Sequence, residues 1–579
     1  MSFLEKMEKW MIAAKKADFN EIAAYFQIDP VTARLIRNRD IVGEACMQEY
    51  LYGNLGNLHN PVRMKDMEKA IGILETKIKQ EKRIRIIGDY DIDGIMSAYV
   101  LHCGLKNVGA RADIIIPHRI TDGYGINQDL IEQAAADGID TIITCDNGIA
   151  AAAQIAVARE LGITVIVTDH HEVPYEEDEA GHRQEILPPA QAILNPKQQE
   201  CSYPFKHLCG AGVAYKLVTE LYRYFGLEDT LHEELLEYTA IATIGDVMDL
   251  VGENRILVKE GLRRLQHTSN IGLQELIKVN SLVPENVSPY HIGFVLGPCL
   301  NATGRLDTAQ LSLKLLWAQQ REEAAKLAGD LKSLNESRKE MTLQGVSEGI
   351  RMVEETSLSE DRVLVVYLPD CHESLAGIIA GRLRERYHKP TLVLTRTEAC
   401  VKGSGRSIEA YSMYEELVKC KDLLSKFGGH PMAAGLSLEE ENVPWLRKKL
   451  NQCCRLTPDD LVEKVTIDVA MPISYVHKGL IAELELLQPF GKGNTKPLFA
   501  QKGIKVLNCR IFGKNNNVVK MRIMDEKGFA MDAVYFGEGE TFVERVRESG
   551  SLSIIYYPSI NVYQGKETLQ IVISHYQEV

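Results

Sequence analysis

Residues 88–94 read Gly88-Asp89-Tyr90-Asp91-Ile92-Asp93-Gly94, three carboxylates at alternate positions. Like charges this close repel, and they cost stability unless water or a cation lies among them. Two further groups carry the same chemistry: Asp146 followed by Asn147-Gly148, and Asp169 followed by His170-His171. Oxygen donors joined by imidazole suit Mn²⁺ or Mg²⁺ better than a thiolate site would. Two such ions about 3.5–4 Å apart clamp a phosphoryl group, activate a water and stabilise a leaving oxygen. Taken singly, each group has an ordinary explanation. An aspartate at a strand end commonly caps the next helix, and a histidine pair commonly lies on a surface or in a core. All three groups at successive strand ends point instead to a dinuclear metal site.

The elements around them agree. "RIRIIG" before Asp89, "TIITC" before Asp146 and "ITVIVT" before Asp169 are apolar runs that read as buried strands. Helical segments alternate with them, as in a mostly parallel sheet covered on both faces. In such sheets the ligand crevice lies beyond the carboxyl ends of the strands. Helices dominate from 210 to about 355, and a proline-free, charged stretch ending there reads as a long connecting helix. A second α/β unit follows, with "RVLVVYL", "SLAGIIAGRLRERY" and "TLVLT", and two glycine-rich segments, "KGSGRS" and "FGGHPMAAGLSL", read as loops. From about 460, short alternating strands predict a small β-barrel or sandwich. The expected fold is therefore α/β: two α/β lobes with mostly parallel sheets joined by a long helix, plus a C-terminal OB-like β-barrel. The expected boundaries are a helical segment at 1–80, a catalytic domain at 81–310, the connecting helix at 311–355, the second α/β domain at 356–455 and the barrel at 456–579.

The 579 residues suffice for several domains, and 45% hydrophobic with 25% charged residues is a globular balance. No apolar run approaches the ~18 residues that span a bilayer, and the start, "MSFLEKMEKWMIAAKK", reads as a charged amphipathic helix without the marks of a signal peptide. A cytoplasmic protein without membrane contact is expected. The 12 cysteines are scattered with no C-x-x-C pair, against a zinc ribbon, and adjacent Cys453-Cys454 reads as incidental. The net charge of −14 argues on its face against a nucleic-acid partner. The acid excess lies upstream, however: acids and bases balance from Asp460 to the end, so a local basic groove is compatible with it.

"DYDID", "DNG" and "DHH" in this order resemble the first three motifs of the DHH phosphoesterase superfamily, and "TAIATIGDVMDLVGENR" resembles the fourth, with Asp246 at the ligand position. "GPCLNATGRL", "KGSGRS", "FGGHPMAAGL" and "LLQPFGKGNTKPLF" extend the likeness to RecJ, the family of single-strand-specific 5′→3′ exonucleases, over about 80–500 and less specifically to the end. The resemblance implies that Asp91, Asp93, Asp146, His170 and Asp246 ligate two Mn²⁺ or Mg²⁺ ions, with Asp146 bridging. It makes Asp89 an outer or alternative ligand and sets His171 against the scissile phosphate as donor or ligand. An activated water attacks, with no covalent intermediate. Ser404 and Arg406 in "GSGRS", with Arg305, Arg119 and His430, would hold a 5′-terminal phosphate. The barrel would bind single-stranded DNA through a basic groove and stacking platforms. Its candidates are Tyr535, Phe536, Tyr556, Tyr557 and Tyr563 with Lys514, Lys520 and Arg522. A monomer releasing 5′-mononucleotides in DNA repair and recombination, working beside a helicase and a single-strand-binding protein, is the implied setting.

The sequence departs from the family at Cys371-His372-Glu373-Ser374-Leu375, where RecJ proteins usually carry Trp-His-x-Gly-Val. The histidine is kept and the aromatic and glycine are not. Two other functions compete. A DHH phosphodiesterase of short oligonucleotides or cyclic dinucleotides shares the metal site but generally lacks the barrel. A degenerate relative that only binds DNA should have lost ligands, and none is lost.

Overall fold

The computed structural model describes residues 8–118, 125–177, 181–228, 230–306, 309–513 and 515–578, without the side chains of residues 303, 305 and 306. The chain forms two compact units, one mainly from residues 61–246 and 261–463, the other from 10–60, 247–260 and 464–579.

In the first unit, β1 (Arg83–Ile87) is followed by α1 (Ile92–Asn107), β2 (Arg111–Ile115), β3 (Thr141–Cys145), β4 (Thr164–Thr168) and β5 (Ala192–Leu194). The five strands form one parallel sheet in the order β2-β1-β3-β4-β5. Near-continuous Ile, Val and Thr runs are what a sheet buried on both faces requires, and β3 is buried throughout. The chain leaves β1 toward β2 and returns to β3 on the other side of β1. That reversal is a topological switch point, and it opens a crevice between the carboxyl ends of β1 and β3. Helices α2 (Gly210–Phe225) and α3 (Leu236–Gly245) pack on α1. They are followed by α4 (Gly297–Leu306) and by α5 (Arg321–Glu355), the long helix expected from the sequence.

The second lobe of this unit holds β6 (Leu364–Tyr367), α6 (Ala376–Tyr387), β7 (Thr391–Arg396), β8 (Val401–Arg406), β9 (Lys426–His430) and β10 (Ala433–Leu438). Their order is β9-β10-β8-β7-β6. Only β6 and β7 run parallel, so this sheet is mixed rather than mostly parallel. The two glycine-rich segments expected as loops are strands: "KGSGR" is β8, and "KFGGH" and "AAGLSL" are β9 and β10. The glycines make room for neighbouring layers. A Cβ at Gly403 would lie 2.3 Å from Leu394 Cδ2, and one at Gly405 would lie 3.1 Å from three atoms of Met413.

The second unit holds the C-terminal strands β11 (Val469–Ala470), β12 (Phe499–Phe512), β13 (Val518–Met524), β14 (Ala530–Phe536), β15 (Leu552–Tyr563) and β16 (Lys566–Glu578). They follow the order β11-β12-β13-β14-β16-β15, and β15 also pairs with β12, so the ladder curls back as in an OB fold. Helices at Phe19–Phe26, Pro30–Asn38 and Glu44–Tyr52 share the barrel's apolar core through Phe26, Leu35, Ile36 and Leu51. The chain start differs from expectation: Glu8–Ile12 is a strand beside Glu463–Ile467, and Ala13 N–H donates to the Ile467 carbonyl. Backbone pairing with another strand outweighs the helical pattern of so short a segment. No helix among the described residues is long and apolar enough to cross a membrane.

Candidate metal centre

The parallel register sets the three motifs side by side. Ile87 pairs with Thr144 and Cys145 with Thr168, so Asp89, Asp146 and Asp169 leave neighbouring strand ends. Asp146 N–H donates to the Thr168 carbonyl at 3.0 Å. Asp146 itself takes a left-handed φ of 60°, and Gly148 a φ of 110° with no room for a side chain: a Cβ there would lie 2.5 Å from Thr144 Oγ1. Asn147 fixes the turn. Its Nδ2 donates to the carbonyls of Ile87 and Cys145, and its Oδ1 accepts from Ile126 N–H.

Three groups of side chains lie close enough to share a cation: Asp89, Asp91 and Asp146; Asp93, His170 and Asp246; and Asp146, His170 and His171. In each, the ligand atoms lie within 4.8 Å of one another. Asp146 and His170 each belong to two of the groups. His170 Nε2 lies 3.0 Å from Asp146, 3.5 Å from Asp93 and 3.7 Å from Asp246. Every metal-ligand position expected from the sequence is thus brought together, Asp246 from the distant C-cap of α3. An acid there opposes the helix dipole, so it does not serve helix stability.

Each carboxylate is held differently. Asp91 caps α1, its Oδ1 accepting from Asp93 N–H and Gly94 N–H, so one side chain is both a helix cap and a candidate ligand. Asp93 is fully buried, and the N-terminus of α2 reaches it: Gly210 N–H donates to Oδ2 at 2.6 Å and Ala211 N–H to Oδ1 at 2.8 Å. Ser97 Oγ also donates to Oδ1 at 3.3 Å, so Oδ2 is the oxygen that keeps a second lone pair for a cation. Asp89 Oδ1 is buried and has no hydrogen-bond partner among the described residues.

Asp169, grouped by the sequence with the candidate ligands at strand ends, belongs to none of the three ligand groups. It accepts from Ile149, His170 and His171 N–H and from His171 Nδ1 at 2.7 Å. This one buried carboxylate therefore ties the Asn147-Gly148 turn to both histidines. With Nδ1–H donated to Asp169, the neutral ring would present an Nε2 lone pair to a cation and the protonated ring an Nε2–H to a phosphate oxygen, so the bond is compatible with both expected roles.

The electrostatics fit a cation. Burial, then the charge of Asp91, pushes Asp89 up to about 8 and Asp93 up to about 6, and burial with the surrounding carboxylates raises Asp146 well above the carboxylate range. Burial and His171 lower His170 to about 3, leaving it neutral with a lone pair to give. Burial opposes charging His171, but its bond to Asp169 outweighs this and raises it to about 9. Carboxyls raised in the folded state stabilise it least once they must ionise. Metal-free protein therefore loses stability as pH rises from about 4 through the folded values of 6 and 8. Mn²⁺ reverses this by replacing the protons. Thermal midpoints with and without Mn²⁺ should differ more at pH 8 than at pH 6; an equal or smaller shift at pH 8 would refute the crowding.

Ser404 and Arg406 lie two residues apart on β8 and point to one face. Arg406 Nη1 donates to Ser404 Oγ at 3.0 Å and to the Gly405 carbonyl at 2.8 Å. His430 joins that face through a cross-strand row, since both Arg406 and His430 pair with Ala433. Gly377 of α6 lies against the pair: a Cβ there would be 2.8 Å from Arg406 Nη2 and 2.9 Å from Ser404 Oγ. Among the described residues no carboxylate pairs with Arg406, and burial and Arg384 lower its hold on its charge. Helix α4 links the two regions. Gly304 packs on the Tyr90 carbonyl, and the helix also touches Glu373–Leu375. In the loop that departs from the family pattern, His372 caps its turn, with Nδ1 2.7 Å from Ser374 Oγ. Arg119, Lys514 and the Arg305 side chain lie outside the described residues.

The barrel aromatics divide. Tyr556 is core, and Tyr535 is stacked on Phe542. Tyr557 packs edge-on to Phe490. Phe536 (60% exposed) and Tyr563 (69%) face outward. Phe512, which the sequence did not single out, shares a cross-strand row with Val518 and Phe536, and Lys520 lies over its ring. Arg522 is paired with Asp532.

Three family profiles match: the DHH family N-terminal domain at 83–243, the DHHA1 domain at 360–456 and the RecJ OB domain at 467–575. The chain is 35% identical to the single-stranded-DNA-specific exonuclease RecJ of Bacillus subtilis, over 98% of this chain and 70% of that protein. It is 31% identical to that of Escherichia coli, over 98% and 99%. The chain belongs to the RecJ family. The crystal structure of Thermus thermophilus RecJ in complex with Mn²⁺ superposes with a TM-score of 0.83 and 26% identity, covering 100% of this chain and 80% of that one. The Mg²⁺ complex gives 0.78 and 25%. The α/β architecture with a C-terminal OB domain and the Mn²⁺ or Mg²⁺ dependence expected from the sequence agree with RecJ in both respects.

Proposed function

We infer that this protein is a metal-dependent exonuclease of single-stranded DNA that works from the 5′ end and releases 5′-mononucleotides. The observation that carries the reading is the meeting of Asp91, Asp93, Asp146, His170 and Asp246 at the switch point of a RecJ-family sheet. Mn²⁺ or Mg²⁺ held by these residues supplies Lewis acidity toward the attacking water and the leaving oxygen. The protein's part is positioning. Asp146 and His170 serve both halves of the site, Asp93 is locked by the start of α2, and Asp169 orients His171 so that Nε2–H can meet a phosphate oxygen. Polarity is assigned to Arg406, Ser404 and His430: a half-buried guanidinium with no carboxylate partner among the described residues is built for an anion, and a terminal phosphate carries more charge than an internal one. The outward Phe512 and Phe536 with Lys520 offer single-stranded DNA a stacking surface on the barrel.

A long strand labelled at either end, with a 5′-phosphate or a 5′-hydroxyl, tests this in Mn²⁺. Label at the 5′ end should leave at once as mononucleotide, with the matching duplex resistant. Arg406→Ala should erase the preference for a 5′-phosphate, a loss of about 10- to 100-fold for a charge-assisted contact. Release from the 3′ label first would overturn the polarity. Rapid cleavage of a dinucleotide with the long strand intact would move the substrate to small nucleotides.

A further inference from the structure

Residues 288–306 form one irregular helical run, and its exposed side carries two aromatic rings, Tyr290 and Phe294. Ser288 caps the run, its Oγ 2.9 Å from His291 Nδ1. Pro289–His291 is a helical turn, Ile292–Leu296 is a π-turn, and α4 continues from Gly297. Tyr290 and Phe294 stack on each other, ring centroids 5.0 Å apart at 29°, yet stand 65% and 61% exposed. Rings this open gain little from burial, so folding does not account for them. π-turns break the helical repeat and recur at functional sites.

The inner side of the run is bolted to the metal-binding backbone. A Cβ at Gly297 would lie 3.3 Å from Ile92 Cδ1, the residue between Asp91 and Asp93. A Cβ at Gly293 would lie 3.8 Å from Ile244 Cγ2, and one at Gly245, which precedes Asp246, 2.5 Å from Ile92 Cγ2. The π-turn thus packs on the end of α3 that delivers Asp246. The ring pair stands on the exposed side of an element whose inner side packs against Ile92 and the end of α3.

We propose that Tyr290 and Phe294 form a stacking platform for unpaired bases of the strand bound at the metal centre. This rests on the single-strand reading above and adds to it a specificity device. Stacking is available only to a base whose face is open, as in a single strand, and closed to a paired base already covered by its neighbours. The platform would therefore reward single strands over duplex without reading sequence, since every base has a π face.

The test uses the full chain in Mn²⁺ with 5′-phosphorylated single strands that carry one abasic site at successive positions from the 5′ end. Wild type should show a raised KM when the abasic site falls at one or two particular positions. Tyr290→Ala/Phe294→Ala should raise KM on the intact strand about tenfold or more, with the loss falling on KM rather than kcat, and the abasic penalty at those positions should vanish. Tyr290→Leu/Phe294→Leu should behave like the alanine pair, because aliphatic chains fill space without stacking. Both rings are exposed, so thermal midpoints should match wild type. An unchanged KM in the variants, or abasic penalties that simply add to theirs, would overturn the platform while leaving the exonuclease reading intact. A wild type that fails to degrade the intact strand would remove the exonuclease reading and the platform with it.

Discussion

Asp146→Ala should leave a folded protein that cleaves single-stranded DNA at least ~10³-fold more slowly, taking the 10²–10³ cost of losing one preorganised charge-stabilising group as a floor. Asp146 is shared by two of the ligand groups and lies 3.0 Å from His170 Nε2, so its loss opens both halves of the site. Stability should move the opposite way. Asp146 is buried among Asp89, Asp91, Asp93 and Asp169, and its carboxyl is raised by burial and by their charges. Removing it relieves that repulsion, so the metal-free variant should melt at or above the wild-type temperature, most clearly at pH 8. The gain on adding Mn²⁺, about 2.7 kcal/mol for a ligand at a hundred times its Kd, should shrink or vanish. Rates with and without Mn²⁺ and a pair of melting curves check both halves. Near-wild-type cleavage by the variant would remove Asp146 from the reaction.

Gly210→Val should disable the enzyme almost as thoroughly, though residue 210 carries no chemistry. A Cβ there would lie 2.7 Å from Asp146 Cβ, 3.1 Å from its Cα and 3.0 Å from Ser97 Oγ. The same residue's N–H holds Asp93 Oδ2 at 2.6 Å. A side chain must therefore push the start of α2 away from both carboxylates at once. Overpacking of this kind costs about 1–3 kcal/mol, and a displacement near 1 Å at a catalytic group can cost about 10²-fold in rate. Gly72→Ala, on an open helix face with nothing within 4 Å of the new Cβ, is the matched control and should be neutral or mildly stabilising. Melting temperature and kcat should both fall for Gly210→Val alone; retained activity would show that α2 does not lock the site.

How legible each residue was follows from how local its cause is. Asp89, Asp91, Asp93, Asp146 and His170 were readable because a strand end is marked by its own apolar run, and carboxylates placed there have few reasons to be crowded. Asp246 was readable only through its motif; nothing local distinguishes an acid at the end of one helix among many. Asp169 was visible as a letter of its motif, but its work consists of bonds to Ile149 and His171, which exist only after β3 and β4 align. The glycine-rich segments misled for a related reason. Glycine marks both turns and close backbone approach, and the contacts that decide between them, with Leu394 of β7 and with Met413, exist only once the strands have paired and packed.

The sequence by itself determined the chemistry and the family: ligand types, their order along the chain, the strands that end in them and the barrel that follows. These depend on side-chain identity and on short-range periodicity, which a linear text preserves. Only the tertiary structure decided how the ligands are held and what surrounds them. The lock on Asp93 by α2, the stacked pair at Tyr290 and Phe294, and the open ring of Phe512 are matters of which backbone passes which side chain. Such approaches arise from packing between distant segments, and no local pattern encodes them.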